Sequence, residues 1–221
     1  MTAVLVILTI VLFIAIDLVR LRYERRRRAD QAQPVAAFSP LRYPRGIFLS
    51  SGHSWASLTD VGEIRVGADE LVTQALGRVD RVELPEAGTH VERGRPLAHL
   101  QEKGRTLAIC SPVTGVVVAV NPAAPESLPD ALKDDPYGAG WFARIWPAEH
   151  TEALAGLKVG ERAAAWLRSE VQRLADFLSR RSAPRGEAPV LADGAQPALG
   201  AIGLLDDAGL EAFGEEFLHM R

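Results

Sequence analysis

The chain has 221 residues, 48% hydrophobic and 24% charged, with a net charge of −3 and a single cysteine. Such a length suits one domain with appendages, and the composition excludes a wholly disordered chain. The charge excludes the general basic field of a nucleic-acid binder, and the one cysteine, Cys110, excludes an intramolecular disulfide framework or a cysteine-based metal cluster.

Val4 through Ile16 is apolar except for Thr9, and Asp17 interrupts the run before Leu18-Val19. About nineteen residues rising ~1.5 Å each span roughly 28 Å, so residues 1–19 read as a transmembrane anchor. A secretory signal peptide is the alternative. The missing positive n-region and the lack of a small-x-small cleavage site argue against it. Arg20, Arg22 and Arg25 to Arg28 follow directly. The positive-inside rule then puts the amino terminus outside and the body of the protein in the cytoplasm. The same cluster suits anionic headgroups rather than nucleic acid. In the rest of the juxtamembrane segment, residues 20–45, Pro34, Pro40 and Pro44 interrupt any helix. This is a linker whose order would come from lying along the domain.

Residues 46–147 read as a mainly β domain. Gly46 to Leu49 is a strand, and Trp55–Leu58 with Glu63–Val66 form a hairpin. Asp69 to Leu76 is a short helix with Leu71, Val72, Ala75 and Leu76 on one face, ended by Gly77. Arg78 to Leu84 alternates as a half-buried strand. Leu97 to Asn121 reads as two strands joined at Gln101-Glu102-Lys103-Gly104, then a Pro112-Val113-Thr114-Gly115 corner and a third strand. Val116 to Val120 is β-branched and apolar, as a pleated, buried surface requires. A proline-containing loop with one helical turn at Ser127 to Leu132 leads to a last strand, Trp141 to Trp146.

Catalytic chemistry is absent from the pattern. There is no Gly-rich phosphate loop, no Ser/His/Asp set and no paired carboxylates, so neither an enzyme nor a small-molecule site is expected. His53, His90, His99, His150 and His219 are scattered without ligand spacing, so no metal is expected either. His53, next to Trp55, reads as a structural hydrogen-bonding group.

Residues 148–181 read as a helical extension: a short piece, Glu149 to Leu154, then a longer helix after Gly160. Ala164, Leu167, Val171, Leu174 and Leu178 share one of its faces, suited to packing on the domain or to a partner. Residues 182–204, rich in Pro, Gly and Ala, read as a flexible linker. Residues 205–221 form a short acidic amphipathic tail. Leu210, Phe213 and Phe217 lie on one face and Glu211, Glu215 and Glu216 on another. Such a tail either docks a partner through its apolar face or folds back on its own domain.

Several motifs then fall into one order. His53-Ser54-Trp55, Val66-Gly67 followed by Ala75-Leu76-Gly77, and Val82-Glu83-Leu84-Pro85-Glu86-Ala87-Gly88 precede the Lys103 turn. Ser111-Pro112-Val113-Thr114-Gly115, Val120-Asn121 and Pro136-Tyr137-Gly138-Ala139-Gly140-Trp141 follow it. From about residue 50 to 147 this resembles the glycine cleavage system H protein, a family of the biotinyl/lipoyl-carrier fold. The resemblance implies an antiparallel sandwich or flattened barrel, with the Pro85…Gly88 and Pro112…Gly115 corners related by a pseudo-two-fold axis. It also implies a lipoate-bearing lysine eight residues before the proline of Ser-Pro. That position is Gly104, which has no amine; Lys103 stands nine residues before Pro112. A one-residue slip re-aims a side chain. The expectation is a membrane-tethered module without cofactor, docking unidentified protein partners. The alternative is a carrier with lipoate on Lys103, which requires the turn to absorb one extra residue as a bulge.

Overall fold

The computed structural model describes residues 37–123, 128–181, 191–192 and 196–220. The expected membrane anchor and its arginine cluster lie outside the described residues. Among the described residues no helix is long and apolar enough to cross a membrane.

Two antiparallel sheets face each other across one core. The larger comprises β1 (Phe48–Leu49), β2 (Ser54–Leu58), β3 (Ile64–Ala68), β5 (His90–Val91), β8 (Gly115–Val120) and β9 (Trp141–Pro147), in the order β1-β2-β3-β9-β8-β5. The smaller comprises β4 (Arg81–Glu83), β6 (Pro96–Glu102) and β7 (Arg105–Cys110), in the order β4-β6-β7. Ile64, Val66, Val91, Leu97, Val113, Val117 and Ile145 pack between them. The flattened barrel expected from the motifs is therefore present. One expectation is corrected: β8 is buried on one face only. Val117 is inside, whereas Val116 and Val118 point outward, because the period of two exposes alternate residues.

Helix α1 (Glu70–Leu76) sits where the pattern put it. Asp69 caps it by accepting from the Val72 N–H at 3.2 Å, and Gly77 ends it at φ +75°. Helix α2 (Leu128–Asp134) fills the proline-containing loop. The Pro136–Trp141 block is a hydrogen-bonded corner. Trp55 Nε1 donates to the Pro136 carbonyl, and Asn121 Nδ2 donates to the Ala139 and Trp141 carbonyls.

Beyond the barrel, α3 (Gly160–Arg181) buries Ala163, Leu167, Glu170, Leu174, Phe177 and Leu178. Its apolar face packs on its own chain, with Ala164 and Val171 only half-buried at the margin. Residues 150–156 are turns, not the short helix expected at 149–154. Backbone bonds here span three residues, Ala155 N–H to the Glu152 carbonyl and Leu157 N–H to the Leu154 carbonyl, and the Arg93 guanidinium donates to the Glu152, Ala153 and Ala155 carbonyls. The described residues of the stretch read as a loose linker are ordered. β11 (Gln196–Pro197) pairs with β10 (Leu191–Ala192), and a 3₁₀ turn, η1 (Ala201–Leu204), buries Ala201 and Ile202 completely. Helix α4 (Asp207–Phe217) closes the described chain, capped by Asp206. Residues 37–45 lie along the domain. Phe38 donates its N–H to the Pro197 carbonyl, and Arg42 Nε meets Glu70 at 3.0 Å.

Candidate functional site: the hairpin tip

The β6–β7 hairpin turns in two residues. Glu102 pairs directly with Arg105, leaving only Lys103 and Gly104 at the tip, with φ of +50° and +77°. Positive φ at both central positions is the type I′ geometry, whose twist matches the flanking strands. Glycine at 104 takes it freely; Lys103 takes it at a steric cost. The ladder's one irregularity lies at the other end, between Pro96 and Ala98. No extra residue is absorbed at the tip.

The tip is tied on two sides. On one, the Lys103 N–H donates to Asp80 Oδ2 at 2.7 Å, the Asp80 N–H donates to the Gln101 carbonyl at 2.7 Å, and Gln101 Nε2 donates to Glu83. On the other lies the chain after α3. Arg105 donates from Nη1 to the Leu205 carbonyl at 2.6 Å and from Nη2 to the Gly203 carbonyl at 2.9 Å. Glu102 is buried, and a Cβ on Gly203 would come within 2.3 Å of its Oε1. Burial pushes the Glu102 carboxyl up, while Lys103 and Arg105 pull it back and Asp80 adds to the rise. Lys103 Nζ lies 3.8 Å from Glu102 Oε1, with its side chain 65% exposed. The tip is thus not held out in water on all sides: Lys103 and Gly104 are exposed, and both flanking residues are engaged.

The segment that does this is wedged in place. Gly200 donates its N–H to the Gln74 carbonyl at the end of α1, and a Cβ on Gly77 would come within 2.7 Å of the Gly200 Cα. Sequence reading missed Asp80, Arg105, Gly200 and Gly203. Their composition signals a surface charge and a linker, and only the fold brings them together.

Of the other residues singled out, Phe213 and Phe217 are fully buried and Leu210 is half-buried. Phe217 lies 5.5 Å from Phe177 and 4.9 Å from Phe213, ring to ring. The apolar face of α4 is spent on its own domain, so Phe213 and Phe217 are not a docking surface. Cys110 is a buried free thiol, pushed up by desolvation. His53 contacts Asp69 and Glu170, as a structural role demands.

The residues at the tip do not fit a lipoyl group at the position the resemblance assigns. Gly104 offers no amine. Lys103 offers one, but from the first position of a two-residue turn, one step out of register. Side chains elsewhere on the hairpin bring no second lysine.

The family described as Glycine cleavage H-protein matches residues 48–170. A probable glycine cleavage system H protein of Pyrococcus abyssi is 34% identical over 124 residues, covering 56% of this chain and 91% of that protein. The glycine cleavage system H protein of Shewanella denitrificans is 37% identical over 112 residues, covering 51% of this chain and 86% of that one. In three dimensions, a glycine cleavage system H protein from Mycobacterium marinum superposes with a TM-score of 0.50 at 28% identity, over 57% of this chain and 99% of that one. The segment that grips the tip, Gly200 to Leu205, lies beyond the matched residues.

Proposed function

The chain belongs to the glycine cleavage H-protein family, and from that premise we propose that it is a member without the swinging arm: a membrane-tethered, non-lipoylated module that docks protein partners. Members of the family are lipoyl carriers, not catalysts. Here the observation that carries the reading is the tip itself. Glu102 pairs with Arg105 across two residues, and the one in register for acylation is Gly104. What remains of a carrier is its shape and the surface its partners recognise. The apolar run at 1–19 and the arginines after it support a single membrane anchor, with the amino terminus outside and the domain in the cytoplasm.

The test is the intact mass of the full-length chain from a lipoylation-competent host. The unmodified mass is expected. A lipoyl adduct on Lys103 would establish the competing reading, which has in its favour the exposure of that side chain. For the tether, the full-length chain is expected in the membrane fraction and a chain starting at residue 30 outside it. Recovery of both in the same fraction overturns the anchor. For docking, affinity purification of the detergent-extracted chain reads which proteins come with it, and recovery of the chain alone counts against that role.

A further inference from the structure

Most of the large hydrophobic side chains left exposed among the described residues gather in one row across the larger sheet. Val116 and Val118 point outward from β8, and Trp146 of β9, 48% exposed, stands directly opposite Val116 in the ladder. Residues opposite each other in an antiparallel pair share a face. The His150 ring packs nearly perpendicular to Trp146, with centroids 4.9 Å apart, and its Nε2 lies 3.5 Å from where a Cβ on Gly62 would stand. Gly62 belongs to the turn between β2 and β3, where Leu58 and Val61 are also exposed. The row from β8 to that turn takes in five of the eight large hydrophobics exposed among the described residues, which makes it a patch and not a scatter. The charges beside it cancel: Arg144, next on the outer face of β9, meets Glu63 at 3.0 Å.

We propose that this row is a second membrane contact, the face on which the tethered domain rests at the headgroup level of a lipid bilayer. The inference rests on the anchor read at residues 1–19, and the chain outside the described residues is what selects lipid as the occupant. Residues 20–36 join that anchor to the domain, and about seventeen residues reach at most ~60 Å even when fully extended. The domain therefore stays beside the bilayer. A face too weak to hold lipid from solution is then populated, because the encounter is intramolecular. Trp146 has the chemistry for that depth. An indole combines an apolar body with one N–H donor, which suits the boundary between headgroups and acyl chains. Trp55 spends its Nε1 on the Pro136 carbonyl, whereas Trp146 Nε1 has no hydrogen-bond partner among the described residues. With the neighbouring charges cancelled, the contact draws on apolar area and needs no anionic headgroup.

The test uses the tryptophans. Trp55, Trp141, Trp146 and Trp166 all lie in the domain and none in residues 1–36, so their quenching by lipid reads the domain and not the anchor. The full-length chain is reconstituted into phosphatidylcholine vesicles with and without bromine on the upper acyl chain. Fluorescence is expected to be quenched by the brominated lipid, and Trp146→Phe is expected to lose most of that quenching. Val116→Glu keeps Trp146 but puts a charge into the row, and is expected to lose it as well, with the urea midpoint showing that the fold is kept. Quenching is expected to persist at about 1 M salt, where charges are screened within ~3 Å. No quenching of the wild type, quenching that Trp146→Phe leaves intact, or quenching that salt abolishes overturns the inference. So does a detergent-solubilised dimer that Val116→Glu dissociates, which would give the row to a second copy of the chain. The anchor fails separately. A full-length chain that does not float with the vesicles overturns the anchor and the contact with it, whereas one that floats unquenched overturns the contact alone.

Discussion

The His53 ring donates from Nδ1 to the Asp69 carboxylate at 2.7 Å, and neither residue is exposed to solvent. From Nε2 the same ring reaches Glu170 of α3 at 3.3 Å, and it stacks on Trp166 with centroids 4.9 Å apart. Asp69 is at the same time the cap of α1. One imidazole therefore joins the opening loop of the barrel, its first helix and the long helix packed outside it. His53 itself sits at φ +57°, a conformation the surrounding contacts must hold. Burial alone would lower its pKa; the two carboxylates outweigh burial and raise it to about 9. At neutral pH the ring is an imidazolium that donates to both.

The raised value makes a pH prediction with a definite sign. The folded pKa of about 9 lies above the unfolded value of 6.5. The cation's contribution is then complete below pH 6.5, declines between 6.5 and 9, and is lost above 9. Urea unfolding of the wild type and of His53→Asn at pH 6, 7.5 and 9.5 reads it as the difference between the two chains. That difference should shrink by something on the order of 3 kcal/mol across the window. A difference that stays constant with pH would mean the ring is not charged in the fold.

Gly115 ends the Pro-Val-Thr-Gly corner, and no other residue fits there. A Cβ at this position would meet the Trp146 carbonyl oxygen at 2.1 Å and Ile145 Cγ2 at 2.7 Å. The first of these is backbone of the paired strand β9 and cannot step aside without breaking the ladder. Gly115→Ala should cost more than about 3 kcal/mol, or leave the chain unfolded. Gly94→Ala is the contrast. Its Cβ meets nothing within 4 Å, and only the positive φ of +79° opposes it, so the loss should be about 1–2 kcal/mol. Thermal melts of the two variants rank them; equal losses would refute the packing argument.

At the hairpin tip the prediction is a gain. Lys103 occupies the first central position of a type I′ turn, where asparagine before glycine is the favoured pair. Lys103→Asn relieves the steric cost and removes only an exposed amine 3.8 Å from Glu102. The melting midpoint should rise, by a few tenths to about 1 kcal/mol of stability. A fall would show that the amine's contact with the Glu102 carboxylate matters more than the turn.

These cases mark where the chain's pattern was legible. Asp69 and Gly77 bound α1 because capping and left-handed glycine are local effects, visible in a few neighbouring residues. The place of the hairpin turn was legible for the same reason, but not its length: of Gln101 to Gly104, read together as the turn, Gln101 and Glu102 are paired in β6 and only Lys103 and Gly104 form the tip. Gly200 to Leu205 was not legible. Its composition is that of a linker, and its order comes from Gln74, Glu102 and Arg105, residues about 100 or more positions away. The turns at 150–156 were hidden likewise, since three of their carbonyls are met by Arg93, some 60 positions away. An amphipathic stripe says that a face must be covered and is silent on what covers it. That is why Leu210, Phe213 and Phe217 fitted a docking peptide and a folded-back helix equally well.

The last prediction separates those two roles of α4. Phe217 is fully buried, stacked on Phe213, edge-on to Phe177, and covered by the Arg173 guanidinium at 4.2 Å from its ring centre. Removing its ring opens a cavity at the junction of α3 and α4, and the surrounding helices relax only in part. Phe217→Ala should therefore cost about 3–5 kcal/mol in urea unfolding, as a core phenylalanine does. Glu211→Ala, on the exposed face of the same helix, should change stability by less than about 0.5 kcal/mol. A helix held in reserve for a partner would behave otherwise: Phe217→Ala would leave the midpoint where it was and weaken only the capture of the partner. A core-sized loss of stability in the isolated chain places α4 within the fold.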